Sequence, residues 1–342
     1  MYILENVPLS GYSTMRVGGI ARYALEITTA QQIAEAVAWA EEKQLPVLMI
    51  GDGSNILWQD EGFAGLLLIN KIPGFEIKSY DAETSYVTIG AGENWDSVVA
   101  RTVEAGLSGI EQLSLIPGTT GATPVQNVGA YGQEISNVLM TLQAYDIQKR
   151  TFVTMTASDC QFSYRSSRFK TTDRDRFLIT SLSFILSKRP PMRPFYHAVE
   201  HYLKEHDITT YTPASIRQAV TAIREAKLPN PTYVSNLGSF FKNPIIARSQ
   251  LTQLRADYED IAYWEVDEYN VKLSAAWLIE HAGFKGMHDD KTGMSTWPAQ
   301  PLVFINESAH STEQVLAFRD KVIKAVEEKF HITLEQEPEL LP

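Results

Sequence analysis

The chain has 342 residues, of which 44% are hydrophobic and 21% charged, enough apolar material for a large core in two or three domains and the wrong composition for a disordered or fibrous polymer. Its formal charge of -11 argues against nonspecific attraction to nucleic acid or anionic membrane, while a local basic pocket for an anionic ligand stays compatible with it.

The first residues, MYILENVPLSGYST, lack the basic-then-apolar order of a secretory leader, and no stretch approaches the length of a membrane span. A cytoplasmic protein is therefore expected. From Thr28 the run TTAQQIAEAVAWAEEKQLPVLMIGDGSNIL predicts a Thr-capped amphipathic helix, an apolar strand from Val47 to Ile50 and a glycine-rich turn. The small residues of GDGSN let backbone N–H groups approach phosphate oxygens closely. Its third glycine and following helix are missing, so it is not the dinucleotide fingerprint, and a tight turn explains it equally well. Strands are expected from Gly65 to Ile69 and around Tyr86 to Ile89, then a helix from GAGENW to about Ala105.

Residues 115–134, LIPGTTGATPVQNVGAYGQE, carry glycines at 118, 121, 129 and 132 with almost no helical period. A loop of this length in a folded domain is functional or disordered. Together with GDGSN it supplies two lysine-free, glycine-rich loops able to enclose a pyrophosphate from two sides. Strands follow around Leu142 to Asp146 and from Phe177 to Leu186. Between them Cys160, the single cysteine, cannot form an internal disulfide, which suits a reducing compartment. Its DCQFSYR setting offers no helix start or histidine to activate the thiol. Arg165, among aromatics in FSYRSSRF, is either a surface ion-pair partner or a planar fork for a carboxylate.

The stretch SKRPPMRP, Ser187 to Pro194, reads as a linker. HAVEH, His197 to His201, matches a metalloprotease-like i, i+4 pair, but no companion ligand is evident and a solvated helix face is the preferred reading. Helices are expected at about Ala214 to Ala226, Ser274 to Ala282 and Thr312 to Lys329. The last opens on a Ser311/Gln314 capping box and aligns Val315, Phe318, Val322 and Val326 on one face. SNLGSFFKNP, Ser235 to Pro244, is either a buried turn or a dry pocket that receives one serine hydroxyl. Lys227 in AKLPNP and Gln300 in WPAQPLVFINE stay ambiguous; the tail LEQEPELL is either a frayed end or a final strand carrying one carboxylate. The expected division is 1–72, 73–210 and 211–330, with the tail 331–342 returning to the first two parts.

Taken in order, GDGSN, IPGTTGATPVQNVGAYG, FSYRSSRF, KLPNP, GSFFKNP, VKLSAAWLIE, GFKG and LEQE make a chain that resembles the UDP-N-acetylenolpyruvoylglucosamine reductase family from about Ser13 to Glu337, in its longer type with a tyrosine lid loop. The resemblance implies an α+β architecture: an FAD-binding fold of the vanillyl-alcohol-oxidase (PCMH) type, with FAD-binding subdomains at 1–72 and 73–210 and an additional α+β substrate-binding domain at 211–330. It implies non-covalent FAD against Gly51, Gly53, Ser54, Asn55, Pro117, Gly118, Gly121, Ala122 and Gly129. NADPH is the implied co-substrate, visiting the substrate site without a Rossmann domain, and UDP-N-acetylglucosamine enolpyruvate is the implied substrate, reduced to UDP-N-acetylmuramate for peptidoglycan. Metal, nucleic acid, membrane and an obligate protein partner have no part in it.

By the same matching, Arg165 corresponds to the arginine that meets charge building on the substrate carboxylate, Glu337 to its acidic partner and Ser239 to the proton donor. A serine hydroxyl is a poor acid in water, so only a strongly basic intermediate kept from solvent makes it a sensible donor. Tyr196 resembles the lid tyrosine; Lys227, Asn243 and Gln300 resemble contacts to nucleotide-sugar or NADPH phosphates. Three departures stand out. Gln336 lies between Glu335 and Glu337 where the family usually has proline, so a tail slipped by two residues would present Glu339 instead. Ala122 replaces a common serine, and Trp264 lies near the place of a substrate-contacting tyrosine. The competing functions are a related flavin oxidase acting on a sugar or alcohol and a non-catalytic nucleotide-sugar binding module.

Overall fold

Thr29 starts the first helix by the reciprocal bonds of a capping box: its hydroxyl accepts from the Gln32 N–H, and the Gln32 side chain accepts from the Thr29 N–H. In the computed structural model, which describes Met1–Pro342, this helix belongs to a unit made of Met1–Val7, Ala21–Asp52 and Phe63–Ala226. A second unit comprises Pro8–Ile20, Gly53–Gly62 and Lys227–Pro342.

The first unit contains two sheets. One orders Leu4–Pro8, Ile20–Ile27, Phe63–Asn70 and Val47–Ile50, and its last three strands run parallel. A parallel strand is covered on both faces, which is why FAGLLLIN reads as a continuous apolar run and Leu66 to Ile69 are all buried. The Ala30–Glu42 helix lays Ile33, Ala36, Val37 and Ala40 into the same core as Leu25, Ile27, Leu66 and Leu68. The other sheet is antiparallel, in the order Thr151–Thr156, Leu139–Asp146, Phe177–Ser187, Thr84–Gly90, Phe75–Ser79. Asn94 caps the Trp95–Glu104 helix beside it, and Trp95 meets Phe184 edge-on at 6.0 Å.

After the irregular Pro-rich stretch, the His197–Glu205 helix places Val199 and Leu203 against Ile216, Ala219 and Val220 of the Pro213–Lys227 helix. That contact groups residues up to Ala226 with the first unit, so the observed grouping runs past the boundary expected at 210.

The second unit is built on a sheet of Asn236–Ser239, Gln300–Asn306, Met294–Trp297 and His288–Asp289, with a smaller one of Ile245–Ala247, Asn270–Leu273 and Tyr263–Glu265. The Thr312–Phe330 helix carries the expected Ser311/Gln314 box and buries Val315, Phe318, Val322 and Val326. Ser274 caps Ala275–Ile279, which widens into a π turn over Glu280–Phe284 where Gly283 takes φ +90°. The Arg248–Asp257 helix was not expected, because RSQLTQLRAD buries only Leu251 and carries almost no apolar period. The tail ends in a strand, Glu339–Leu341, parallel to Ile56–Trp58. No helix is long and apolar enough to cross a membrane.

Candidate active site

In the first unit the 115–134 segment is held by the stretch Ala91 to Asp96. Trp95 N–H donates to the Gly118 carbonyl at 3.0 Å, Thr120 N–H to Glu93 O at 2.9 Å and Gly121 N–H to Ala91 O at 2.8 Å; Leu115 N–H donates to the Asp96 carboxylate at 2.5 Å. These bonds supply the ordering that helical or strand periodicity would otherwise announce. A Cβ added to Gly51 would lie 2.1 Å from Thr119 Oγ1, and one added to Gly121 would lie 2.6 Å from the Ala91 Cβ. Both glycines are therefore needed for close approach. Thr119 Oγ1 is buried without a hydrogen-bond partner, a state that costs about 1–3 kcal/mol unless a ligand meets it. A cradle closed to side chains and lined by an unpaired hydroxyl suits a bound dinucleotide such as FAD. Pro117 and Ala122 sit exposed on the rim and Gly118 is buried.

Arg165 sits in a tight turn closed by reciprocal backbone bonds between Ser163 and Ser166, at φ +52°. A Cβ on Gly129 would come within 3.2 Å of Arg165 Nη1, so the guanidinium lies against the Gly129–Ala130/Gln133–Glu134 hairpin. Asn127 fastens the two segments, its Nδ2 donating to Glu134 Oε2 at 2.9 Å and to the Ser163 carbonyl at 3.3 Å. Tyr196 packs edge-on against Tyr131 at 5.5 Å.

Sequence reasoning missed the cluster behind that hairpin. Asp96 receives both terminal nitrogens of Arg217 at 2.6 and 3.0 Å; burial raises its pKa, but the bidentate guanidinium, the Leu115 N–H and the charge of Arg224 together outweigh it and hold the carboxyl below its usual range. Arg224 donates to the Leu115 carbonyl at 3.3 Å, and burial lowers its pKa against the opposing pull of Tyr131 and Asp96. The only signal in the sequence was two arginines seven residues apart on one helical face, which on a helix usually means solvent.

In the second unit the Asn236–Ser239 strand is irregular between those two residues, with Gly238 at φ +70° and its N–H bonded to Asn236 Oδ1 at 2.9 Å. A bulge re-aims the side chain that follows it, and here that is half-buried Ser239. The two phenylalanines anchor the loop. Phe240 stacks on Phe304 at 4.5 Å, and Phe241 meets the same ring edge-on at 5.4 Å. The tail pairs with this loop: Lys242 N–H donates to Glu335 O at 2.9 Å and Glu337 N–H to Phe240 O at 3.0 Å. Ser239 and buried Glu337 are thereby brought onto adjacent backbone. Lys242 forms an ion pair with Glu335. Asn243 Oδ1 accepts from Ala275 N–H at 2.9 Å, joining the loop to the start of a helix.

Gln300 begins the neighbouring strand with its Oε1 buried and unpartnered. Gly53 takes φ +71° with no room for a Cβ, which would meet Tyr12 O at 2.0 Å, while the Asn55 carbonyl accepts from Glu339 N–H at 3.0 Å. Ser54 is half-buried beside it. Lys227 is exposed at the end of its helix. Trp264 is half-buried on the Tyr263–Glu265 strand, under the Lys272 ammonium at 5.8 Å.

Cys160 is buried, and burial pushes its thiol up to about 12, which makes it a poor nucleophile. His197 and His201 are exposed, and His201 pairs with Glu205 at 3.1 Å.

The family model for an FAD binding domain matches residues 21–150, and that for the UDP-N-acetylenolpyruvoylglucosamine reductase C-terminal domain matches residues 230–341. The chain is 39% identical over 334 residues to the UDP-N-acetylenolpyruvoylglucosamine reductase of Ralstonia nicotianae, covering 97% of each. The chain belongs to the UDP-N-acetylenolpyruvoylglucosamine reductase family. The reductase of Alcanivorax borkumensis is 38% identical, with 99% of this chain and 96% of the relative aligned. The solved reductase of Thermus caldophilus shares the fold at a TM-score of 0.69 and 22% identity over all of both chains. This reductase-family chain accordingly has the α+β, FAD-binding architecture with a distinct C-terminal domain that its motifs implied.

Proposed function

We propose that the chain reduces UDP-N-acetylglucosamine enolpyruvate to UDP-N-acetylmuramate with NADPH, in the cytoplasm, as a step of peptidoglycan synthesis. The observation that carries this reading is the pairing of the Ser239 loop with the Glu337 segment, in a chain that is 39% identical to a reductase of that name over 97% of its length. Bound FAD supplies the hydride chemistry. It would be held by residues of the two glycine-rich motifs, Gly51, Gly53, Ser54 and Asn55 of GDGSN and Pro117, Gly118, Gly121, Ala122 and Gly129 of the 115–134 segment.

The protein's own groups do the rest. As the enolpyruvyl double bond gains a hydride at one carbon, negative charge spreads onto the adjoining carboxylate. Arg165 meets that charge with a planar fork of donors, and Glu337 as a carboxylic acid donates a hydrogen bond to it. Ser239 gives its proton to the neighbouring carbon, and the bulge at Gly238 aims the hydroxyl. Gln300 offers its unpartnered amide oxygen to a donor on the nucleotide sugar. Asn243, with its carbonyl engaged, offers its NH2 to a phosphate oxygen. Lys227 supplies an exposed cation for the same phosphates, and Tyr196 closes over the substrate. Residues 211–330 act as the substrate-binding domain.

The first test is the visible spectrum of the purified protein and its bleaching by NADPH, followed by reoxidation with the enolpyruvyl substrate. A yellow protein bleached by NADPH and recoloured by the substrate is expected. Rapid oxygen uptake with a sugar alcohol would instead indicate an oxidase. A protein that stays colourless after flavin reconstitution yet binds UDP-sugars would be a binding module.

A further inference from the structure

Two anchors fix the tail. Residues 335–337 hang on the Ser239 loop through the two backbone bonds at Lys242 and Glu337, with Phe241 opposite Gln336, and Glu339–Leu341 pairs with Ile56–Trp58. Along the Ser239 loop, backbone pairing does not by itself choose this register. At the second anchor a two-residue slip must also give up the bonds from Glu339 N–H to Asn55 O and from Gln59 N–H to Leu341 O, so the side chains at 336–337 add to a register that the strand also holds. A slip of one residue would turn every side chain to the other face, but a slip of two preserves the faces and exchanges Glu337 for Glu339. In the observed register Gln336 faces Phe241 at a non-hydrogen-bonded position, so its N–H takes no part in the ladder. Proline is compatible with that position, and Pro338 would be as well after a two-residue slip.

A side-chain brace distinguishes the two registers. Gln336 Nε2 donates to the Pro338 carbonyl at 2.7 Å, and Gln336 Oε1 accepts from Arg319 Nη1 at 2.9 Å. Arg319 stands on the Thr312–Phe330 helix, whose Val315, Phe318 and Val322 are fully buried, so its base is fixed. Its Nε is taken by Asp320 at 2.8 Å, which orients the remaining edge of the fork toward Gln336. Slipping the tail by two residues would put Pro338 opposite Arg319 and break the Arg319–Gln336 bond, the one that ties the tail to another element, while the Gln336–Pro338 bond lies within the tail and stiffens the segment that Arg319 holds.

We propose that Arg319 and Gln336 are positioning residues that lock the tail register and so present Glu337, rather than Glu339, to the substrate. The proposal rests on the reading of Glu337 as the acidic group of the site. Gln336 does with hydrogen bonds what a proline there would do by fixing φ.

The test uses FAD-loaded, full-length protein in stopped flow, with NADPH-driven flavin reduction and substrate-driven reoxidation read separately. Arg319→Ala and Gln336→Ala are expected to slow reoxidation about tenfold or more through misplacement of the carboxyl, with NADPH-driven reduction unchanged. In a Gln336→Pro background, Arg319→Ala is expected to cost less than about twofold, because the shared partner is gone. Adding Glu339→Gln to Arg319→Ala is expected to slow reoxidation further, because part of the slipped population works through Glu339. If Arg319→Ala reoxidises at the wild-type rate while Glu337→Gln is slowed, the brace is refuted and the Glu337 reading stands. Normal reoxidation in Glu337→Gln overturns the underlying reading instead. Equal loss in both half-reactions would make the brace a general structural contact and end the proposal.

Discussion

Ser239, the proposed proton donor, stands on a loop whose neighbours fix its backbone. The hydroxyl follows a left-handed glycine whose added Cβ would meet nothing within 4 Å, so Gly238 is required for its backbone angle and not for room. Behind it Phe240 and Phe241 are fully buried, and they tie the loop to the Phe304 strand. Ser239→Ala is expected to lower substrate reduction by about 10²–10⁴-fold, the usual worth of a positioned proton donor, while NADPH still bleaches the flavin at the wild-type rate; unchanged turnover would remove the serine from its role. Phe240→Ala should cost about 3–5 kcal/mol of stability in denaturant titration, as for other buried aromatic truncations. A loss below 1 kcal/mol would mean that the loop is not anchored as its packing indicates.

The glycine-rich segment is ordered by the Ala91–Asp96 stretch, an arrangement that only pairing between distant residues can create. Gly121→Val would press a side chain onto Ala91. With overpacking of about 1–3 kcal/mol coupled to the cradle, FAD affinity should fall roughly 10–100-fold, measured as flavin absorbance per protein after reconstitution; full occupancy would place the cofactor elsewhere. The antiparallel sheet carries its own pH dependence. Arg176 grips Asp146 through Nε at 3.1 Å and Nη2 at 2.8 Å, and these bonds, against the cost of burial, hold the Asp146 carboxyl below its usual range. An unfolded aspartate titrates near about 3.9, so the stabilisation is full above that value and is lost as pH falls through the lower folded pKa. Asp146→Asn should therefore flatten the acid limb of stability below about pH 4, read from thermal midpoints across that range. An acid limb as steep as wild type would assign the effect to other carboxylates.

At the scale of the whole molecule, FAD that binds only the folded chain must stabilise it by mass action. At a free FAD concentration of 100 times Kd the gain is about 2.7 kcal/mol, which for a protein of this size is a rise of several degrees in Tm; a midpoint that ignores FAD over that range would contradict the flavoprotein reading. The charge of -11 does not oppose binding of anionic nucleotides, because cationic side chains are placed locally: Arg165 against the Gly129 hairpin, Arg217 and Arg224 around Asp96.

Elements with strong local signals were legible from their residues alone. The Thr-capped first helix, the Ser311/Gln314 capping box, the Val47–Ile50 strand and the apolar face of the last helix appeared where pattern and cap chemistry placed them. These depend on neighbours within a turn or two of chain, and local propensity is sufficient to fix them. The order of the motifs also pointed to the reductase family before any contact was known. Tertiary structure decided what residues far apart do together. It paired the tail with the Ser239 loop across almost a hundred residues, set Arg165 in a left-handed turn against Gly129, and assembled Asp96, Arg217 and Arg224 behind the glycine-rich segment. It also grouped the helix that starts at Pro213, as far as Ala226, with the first unit, where Ile216, Ala219 and Val220 pack. No local period encodes such pairings, because each is a choice among surfaces that exists only once the chain has closed on itself.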